Sequence, residues 1–181
     1  MKSSMMLTYL LSMTIITILI LLIYAAVQQS YRSGANDPQI QVVYDMAGKL
    51  LKGKSAETLI PPDTVDVVSS LATVSVAYSS DGKPLRSNGY LDGRMITLPQ
   101  GVFDYLKDHV EDRVTWQPRE GVRMAMVVLR LNAAPVAFIA AGRSILEVEK
   151  REYSLRMMII IAWAICFFLI TIVAIIRRHK T

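Results

Sequence analysis

An α+β domain held between two membrane-spanning helices is the fold class this sequence predicts: an antiparallel sheet of roughly five strands with flanking helices. Three observations predict it. Uncharged apolar runs occupy Met5 to Val27 and Met157 to Ile176, and every acidic residue of the chain lies between them. The apolar pattern of the intervening segment changes from helical spacing to alternation near residue 72. Five short apolar or alternating runs then follow, separated by Asp-Gly, Pro and Gly turns.

Each terminal run has about 20 residues or slightly more, which at about 1.5 Å per residue reaches across a hydrocarbon core of about 30 Å. The expected organisation is a tail at 1–4, a first span at 5–27, one domain at 28–156, a second span at 157–176 and a basic tail at 177–181. The first run exceeds the usual length of a signal-peptide core and lacks a good small-x-small site at Tyr24-Ala25-Ala26, so it reads as an uncleaved anchor. The central segment of about 130 residues is close to the commonest single-domain size. Lys2, Arg177, Arg178 and Lys180 supply four of the five net positive charges, so the domain itself is nearly neutral. Nucleic acid is excluded as a partner, because Asp104, Asp108, Glu111 and Asp112 alternate with Lys107 and Arg113 where a phosphate-binding face would need unmixed cations.

Within the domain, Asp37-Pro38 reads as a helix cap with proline at the first helical position. Ile40, Val43, Met46, Ala47, Leu50 and Leu51 then form an apolar stripe that either packs on its own domain or pairs with a second copy. Pro61-Pro62 ends the next short segment, and Asp63 to Ser70 is expected as a helical turn or loop. Ala72 to Tyr78 reads as a strand, Ser79-Ser80-Asp81-Gly82-Lys83 as its turn and Pro84 to Ser87 as the returning strand. Asn88-Gly89 and Asp92-Gly93 are expected as further turns. Val102, Phe103, Tyr105, Leu106 and Val110 fit a short helix over one face of the sheet, and Val114 to Gln117 the next strand, closed by Pro118 and Gly121.

The stretch from Val122 to Ala141 is apolar enough to be tested as a third span. Arg123, Arg130, Asn132 and Pro135 interrupt it, and an arginine near the bilayer centre costs about 2.5–3.5 kcal/mol. It reads instead as two central strands, Val122 to Leu131 and Val136 to Ala141, joined at Asn132-Ala133-Ala134. Ser144-Ile145-Leu146-Glu147 matches a capping box, and no Pro or Gly follows it as far as Arg178, which predicts one continuous helix into the second span.

The order helix, strand, Asp-Gly hairpin, strand, helix, three antiparallel strands and membrane helix resembles a PAS-like or single Cache extracytoplasmic sensor domain of bacterial membrane receptors. The run Thr73 to Ser87, with Asp81-Gly82-Lys83 at its centre and Leu91-Asp92-Gly93 beyond, is similar to the hairpin common in those domains. The resemblance covers roughly Val68 to Glu149. It implies a bacterial cytoplasmic (inner) membrane location, with the domain outside and both termini inside, and signalling of the kind used by sensor histidine kinases of two-component systems or by chemoreceptors. Those receptors continue into a signalling module, whereas this sequence ends at Thr181 without a phosphotransfer histidine motif, an ATP-binding glycine loop or a cyclase motif. Output is therefore expected from another membrane or signalling protein.

No enzyme activity, cofactor or metal is expected. His109 is the only histidine of the domain, no G-x-S-x-G elbow accompanies it, and Cys166, the only cysteine, lies in the second apolar run. Ligand binding is the more plausible chemistry. Arg123 on a central strand is the first candidate, because a guanidinium grips a carboxylate through two hydrogen bonds. Tyr90, Arg94, Tyr105, Trp116 and Arg143 are expected to line the same region. The expected partners are the lipid bilayer, a small-molecule ligand, another membrane protein and a second copy of the chain. The alternative functions are a non-sensing accessory or scaffold subunit and a remnant of a split sensor kinase.

Overall fold

The two apolar runs lie within much longer helices, α1 (Lys2–Gly34) and α5 (Leu146–His179). The computed structural model describes residues 2–34 and 37–179, so Met1, Lys180 and Thr181 of the expected tails lie outside the described residues. Both helices are long and apolar enough to cross a bilayer. The chain divides into two units: α1 to Arg32 with α5 from Val148, and residues 33–147.

In the helical unit, α1 and α5 run antiparallel with a fixed register. Trp163 Nε1 donates to Thr17 Oγ1 at 3.1 Å, and the Tyr9 and Thr171 hydroxyls share a bond of 3.2 Å. Half-buried or buried positions recur every three or four residues along both helices, at Tyr9, Ser12, Ile16, Ile20, Tyr24 and Val27 and at Val148, Glu152, Leu155 and Ile159. That spacing is what a two-helix seam requires. The large residues off the seam, such as Leu7, Leu11, Ile18, Phe168 and Ile175, are exposed.

The second unit contains α2 (Asp37–Leu51), α3 (Ala56–Leu59), β1 (Val65–Asp66), β2 (Val74–Tyr78), β3 (Pro84–Ser87), β4 (Gly89–Leu91), β5 (Arg94–Met95), α4 (Gln100–Tyr105), β6 (Glu111–Arg119), β7 (Val122–Ala133) and β8 (Val136–Ser144). The main sheet is antiparallel with the order β3-β2-β8-β7-β6. β8 and β7 are its inner strands together with β2, which explains their near-continuous apolar sequences. Alternation gives this sheet two dry faces. On one, Val43, Met46 and Ala47 of α2 cover Ala77, Val127, Leu129, Ile139 and Ala141. On the other, Phe103, Leu106, Ile96 and Leu98 cover Val74, Val76, Tyr78, Met124, Met126 and Phe138.

The stripe of α2 therefore packs on its own domain, except that Leu51 is 75% exposed at the helix end. Two expectations need correction. The segment Asp63 to Ser70 contributes β1, which runs parallel to β4 because Val65 and Val67 donate backbone bonds to Asn88 O and Tyr90 O at 2.7 and 3.0 Å. Asn88-Gly89 is not a turn. Asn88 is buried, and its Oδ1 accepts from Ser75 N at 2.6 Å, so a side chain completes the edge of the ladder. Gly89 starts β4 where a Cβ would stand 2.7 Å from the Cβ of Val74. Asp92 and Gly93 do form a turn, with φ of 51° and 75°. β6 extends beyond the expected run on both sides and takes in Pro118, which an edge strand tolerates at the register shift between Trp116 and Arg119.

β8 leads through Ile145 into α5. Ser144 Oγ accepts from Leu146 N at 3.3 Å, so the serine caps the helix start through an amide one residue nearer than the Glu147 N–H of a capping box.

Candidate functional site

The β4–β5 hairpin and the edge strand β6 enclose an open cleft of about 510 Å³, lined by Leu91, Asp92, Arg94, Met95, Ile96, Thr97, Trp116 and Pro118. Its position follows from local chemistry. The left-handed pair Asp92-Gly93 reverses the chain tightly, so β5 is two residues long and Arg94 emerges directly after the turn. Arg119, at the end of β6, donates from one terminal nitrogen to both carboxylate oxygens of Asp92, at 2.8 and 3.1 Å. This ion pair ties the hairpin to the sheet edge and neutralises Asp92. The Arg94 side chain has no hydrogen-bond or ion-pair partner among the described residues, so the cleft presents one uncompensated guanidinium. Trp116 is half-buried against the core and forms a flat apolar wall. A cation beside an aromatic wall suits a small carboxylate or another planar anion.

Of the six residues expected in one region, only Arg94 and Trp116 meet here. Tyr90 lines a neighbouring groove of about 350 Å³ with Thr64, Val65, Asp66, Asp92 and Gly93, so Asp92 borders both openings. Arg123 is exposed and alternates with Ala125, Val127 and Leu129, which places it on the α2 side of the sheet. Arg143 lies opposite Ala125 in the ladder and shares that side. Tyr105 is exposed on α4, where its ring stacks on His109 with centroids 3.9 Å apart.

The α2 side holds its own buried polar groups. Gln39 is fully buried, donates from Nε2 to Ala125 O at 3.4 Å, and leaves Oε1 without a partner, as Arg143 leaves Nε, among the described residues. Gln39 sits one turn before Val43 on the buried face of α2, and being polar it carried no signal in the apolar pattern. The Asp92–Arg119 pair was equally silent, since its members lie 27 positions apart.

The remaining candidates for chemistry are engaged locally. His109 Nδ1 donates to Tyr105 O at 3.0 Å. Lys107 bonds Asp104 at 2.6 Å and holds its carboxyl below the usual carboxylate range. Tyr44 of α2 donates to Glu111 of β6 at 2.6 Å, and this bond, aided by Arg113, lowers the Glu111 pKa from its ordinary 4.5. A depressed carboxyl pKa stabilises the fold above the unfolded-state value and ceases to do so as pH falls through the folded one. Acid titration from neutrality is therefore expected to weaken the α2–β6 link below about pH 4.5, and Glu111→Gln to remove that contribution. An unfolding midpoint whose pH dependence is the same in wild type and Glu111→Gln would refute this.

The interior between the sheet and α4 is filled. Tyr78, Ile96, Leu106, Met124 and Met126 are fully buried, and Phe103 packs its ring against Tyr78 and Phe138 with centroids 5.1 and 5.2 Å apart. The Tyr78 hydroxyl donates to Ile96 O at 3.1 Å, and burial raises its pKa. The openings thus lie at the rim of this layer.

No family model and no curated protein matches the sequence. Among solved structures, the ligand-binding domain of the amino acid chemoreceptor PctC of Pseudomonas aeruginosa PAO1, in complex with GABA, is similar at a TM-score of 0.42 and 15% identity. The match covers 76% of this chain and 62% of that one, so this chain spans less than two thirds of that structure's length.

Proposed function

We propose that this protein is a non-enzymatic, membrane-anchored sensor whose domain at 28–156 faces outward from the bacterial cytoplasmic membrane and whose two termini face inward. It binds a small ligand and passes the change to another membrane protein. The observation that carries this reading is the direct passage of β8 through Ile145 into α5, so that an inner strand of the sheet and a span-length helix are one continuous piece of chain. The observed order of α2, β2, the Asp81-Gly82 hairpin, β3, α4 and β6-β7-β8 supports it, because that order carries the resemblance to PAS-like and single Cache domains. Arg94 takes the carboxylate of the ligand, and Trp116 covers its apolar part.

The test is thermal unfolding of the full chain in mild detergent with amino acids, organic acids, sugars and divalent cations. A ligand at about 100 times its dissociation constant stabilises the folded state by about 2.7 kcal/mol. A carboxylate is expected to give such a shift, Arg94→Ala to abolish it and Arg123→Ala to retain it. A shift that survives Arg94→Ala would move the site elsewhere. The filled layer between the sheet and α4 favours a second reading, an accessory or scaffold subunit that uses the domain as a docking surface. Absence of any shift from a folded protein would select it.

A further inference from the structure

The helical unit holds a second cleft, of about 360 Å³, between the first turns of α1 and the last turns of α5. Thr8, Tyr9 and Ser12 line it on α1, and Ile170, Val173 and Arg177 on α5. Of the lining residues, Tyr9 shares a hydrogen bond with Thr171, whose hydroxyl donates to Phe167 O at 2.8 Å. Side chains on a helix lean toward its N-terminus, so Arg177 slants back along α5 toward this cleft. In sequence, Lys2 belongs to the start of α1 and Arg178 to the end of α5, and no acidic residue occurs from Met1 to Asn36 or from Tyr153 to Thr181. An apolar wall, hydroxyls and a guanidinium at the mouth are complementary to an amphiphile with an anionic head.

We propose that this cleft is a binding site for an anionic phospholipid, with the phosphate held by Arg177 and the hydroxyls of Thr8 and Ser12 and an acyl chain lying on Ile170 and Val173. The site rests on α1 and α5 spanning the bilayer. Basic clefts between membrane helices take such headgroups because the cation and the lipid charge meet where little water screens them.

The experiment begins with carbonate extraction of membranes carrying the full chain. The purified protein is then examined by native mass spectrometry with equal amounts of phosphatidylglycerol and phosphatidylcholine, and separately with inorganic phosphate. Retention of one phosphatidylglycerol in preference to phosphatidylcholine is expected. Arg177→Gln should weaken it about fivefold, the equivalent of about 1 kcal/mol for one cation near an anionic surface. Arg177→Lys should preserve most of it, and Ser12→Leu should lower it by filling the cleft with an apolar side chain the helix accepts. Equal retention of the two lipids, or an Arg177→Gln variant that behaves as wild type, overturns the proposal. Binding of inorganic phosphate as strong as that of the lipid reassigns the site to a soluble anion. A change of oligomeric state in Ser12→Leu by light scattering reassigns it to a second copy, which also overturns it. Release of the chain by carbonate sinks both this site and the membrane reading, whereas a retained chain without lipid preference sinks this site alone.

Discussion

Replacing Phe103 by alanine is expected to lower the unfolding free energy of the domain by about 3–5 kcal/mol. The ring is 2% exposed and sits between Tyr78 and Phe138, where it joins α4 to the main sheet. Truncation would lose its transfer energy and leave a cavity between Tyr78 and Phe138 in a core whose other members are already buried. Against a typical total stability of about 5–15 kcal/mol, the variant would unfold well below the wild-type temperature. The chain has two tryptophans, so in a Trp163→Phe background Trp116 fluorescence reports on the domain alone during urea titration. Phe103→Leu, which keeps most of the volume, should cost less than half as much. A loss under about 1 kcal/mol for alanine would mean that α4 is not a fixed part of the core.

Gly82→Ala is expected to cost about 2–5 kcal/mol, for two separable reasons. The residue has φ of 76°, a left-handed conformation that charges a non-glycine residue about 1–2 kcal/mol. An alanine Cβ would also stand 2.7 Å from Cδ2 of Phe103, and overpacking of this kind costs about 1–3 kcal/mol. The steric part depends on the phenyl ring and the conformational part does not. In a Phe103→Ala background the glycine substitution should therefore cost only about 1–2 kcal/mol. Additive costs in the double-mutant cycle would show that the hairpin and α4 do not press on each other.

The hairpin was legible in the sequence because Asp81-Gly82 is local turn chemistry between two apolar runs, and the ring that presses on Gly82 was not, because Phe103 lies 21 positions away. The same division holds elsewhere. Helical spacing located α2, and its burying face follows from Val43, Met46 and Ala47. The small sheet of β1, β4 and β5 escaped notice because strands of two or three residues leave no periodicity. Asn88-Gly89 looked like a turn by composition, but the asparagine amide completes a ladder and the glycine admits Val74.

For the candidate site, residue chemistry put Arg123 first and named Arg94 and Trp116 only beside Tyr90, Tyr105 and Arg143, with nothing to sort these residues between the two faces of the sheet. Arg123 and Arg143 lie on the opposite face of the sheet for a geometric reason. A strand turns successive side chains to opposite sides, so which face an arginine occupies depends on register, and register is set by pairing with distant strands. Span length, charge segregation, the strand and helix runs and the absence of a nucleophile motif are properties of contiguous residues, and the sequence by itself determined them. The strand order, the Asp92–Arg119 tie, the filled layer around Phe103 and the antiparallel register of α1 on α5 were decided only by the tertiary structure. Each depends on contacts between residues far apart in the chain, where hydrophobic burial and pairing geometry act together and local propensity has no influence.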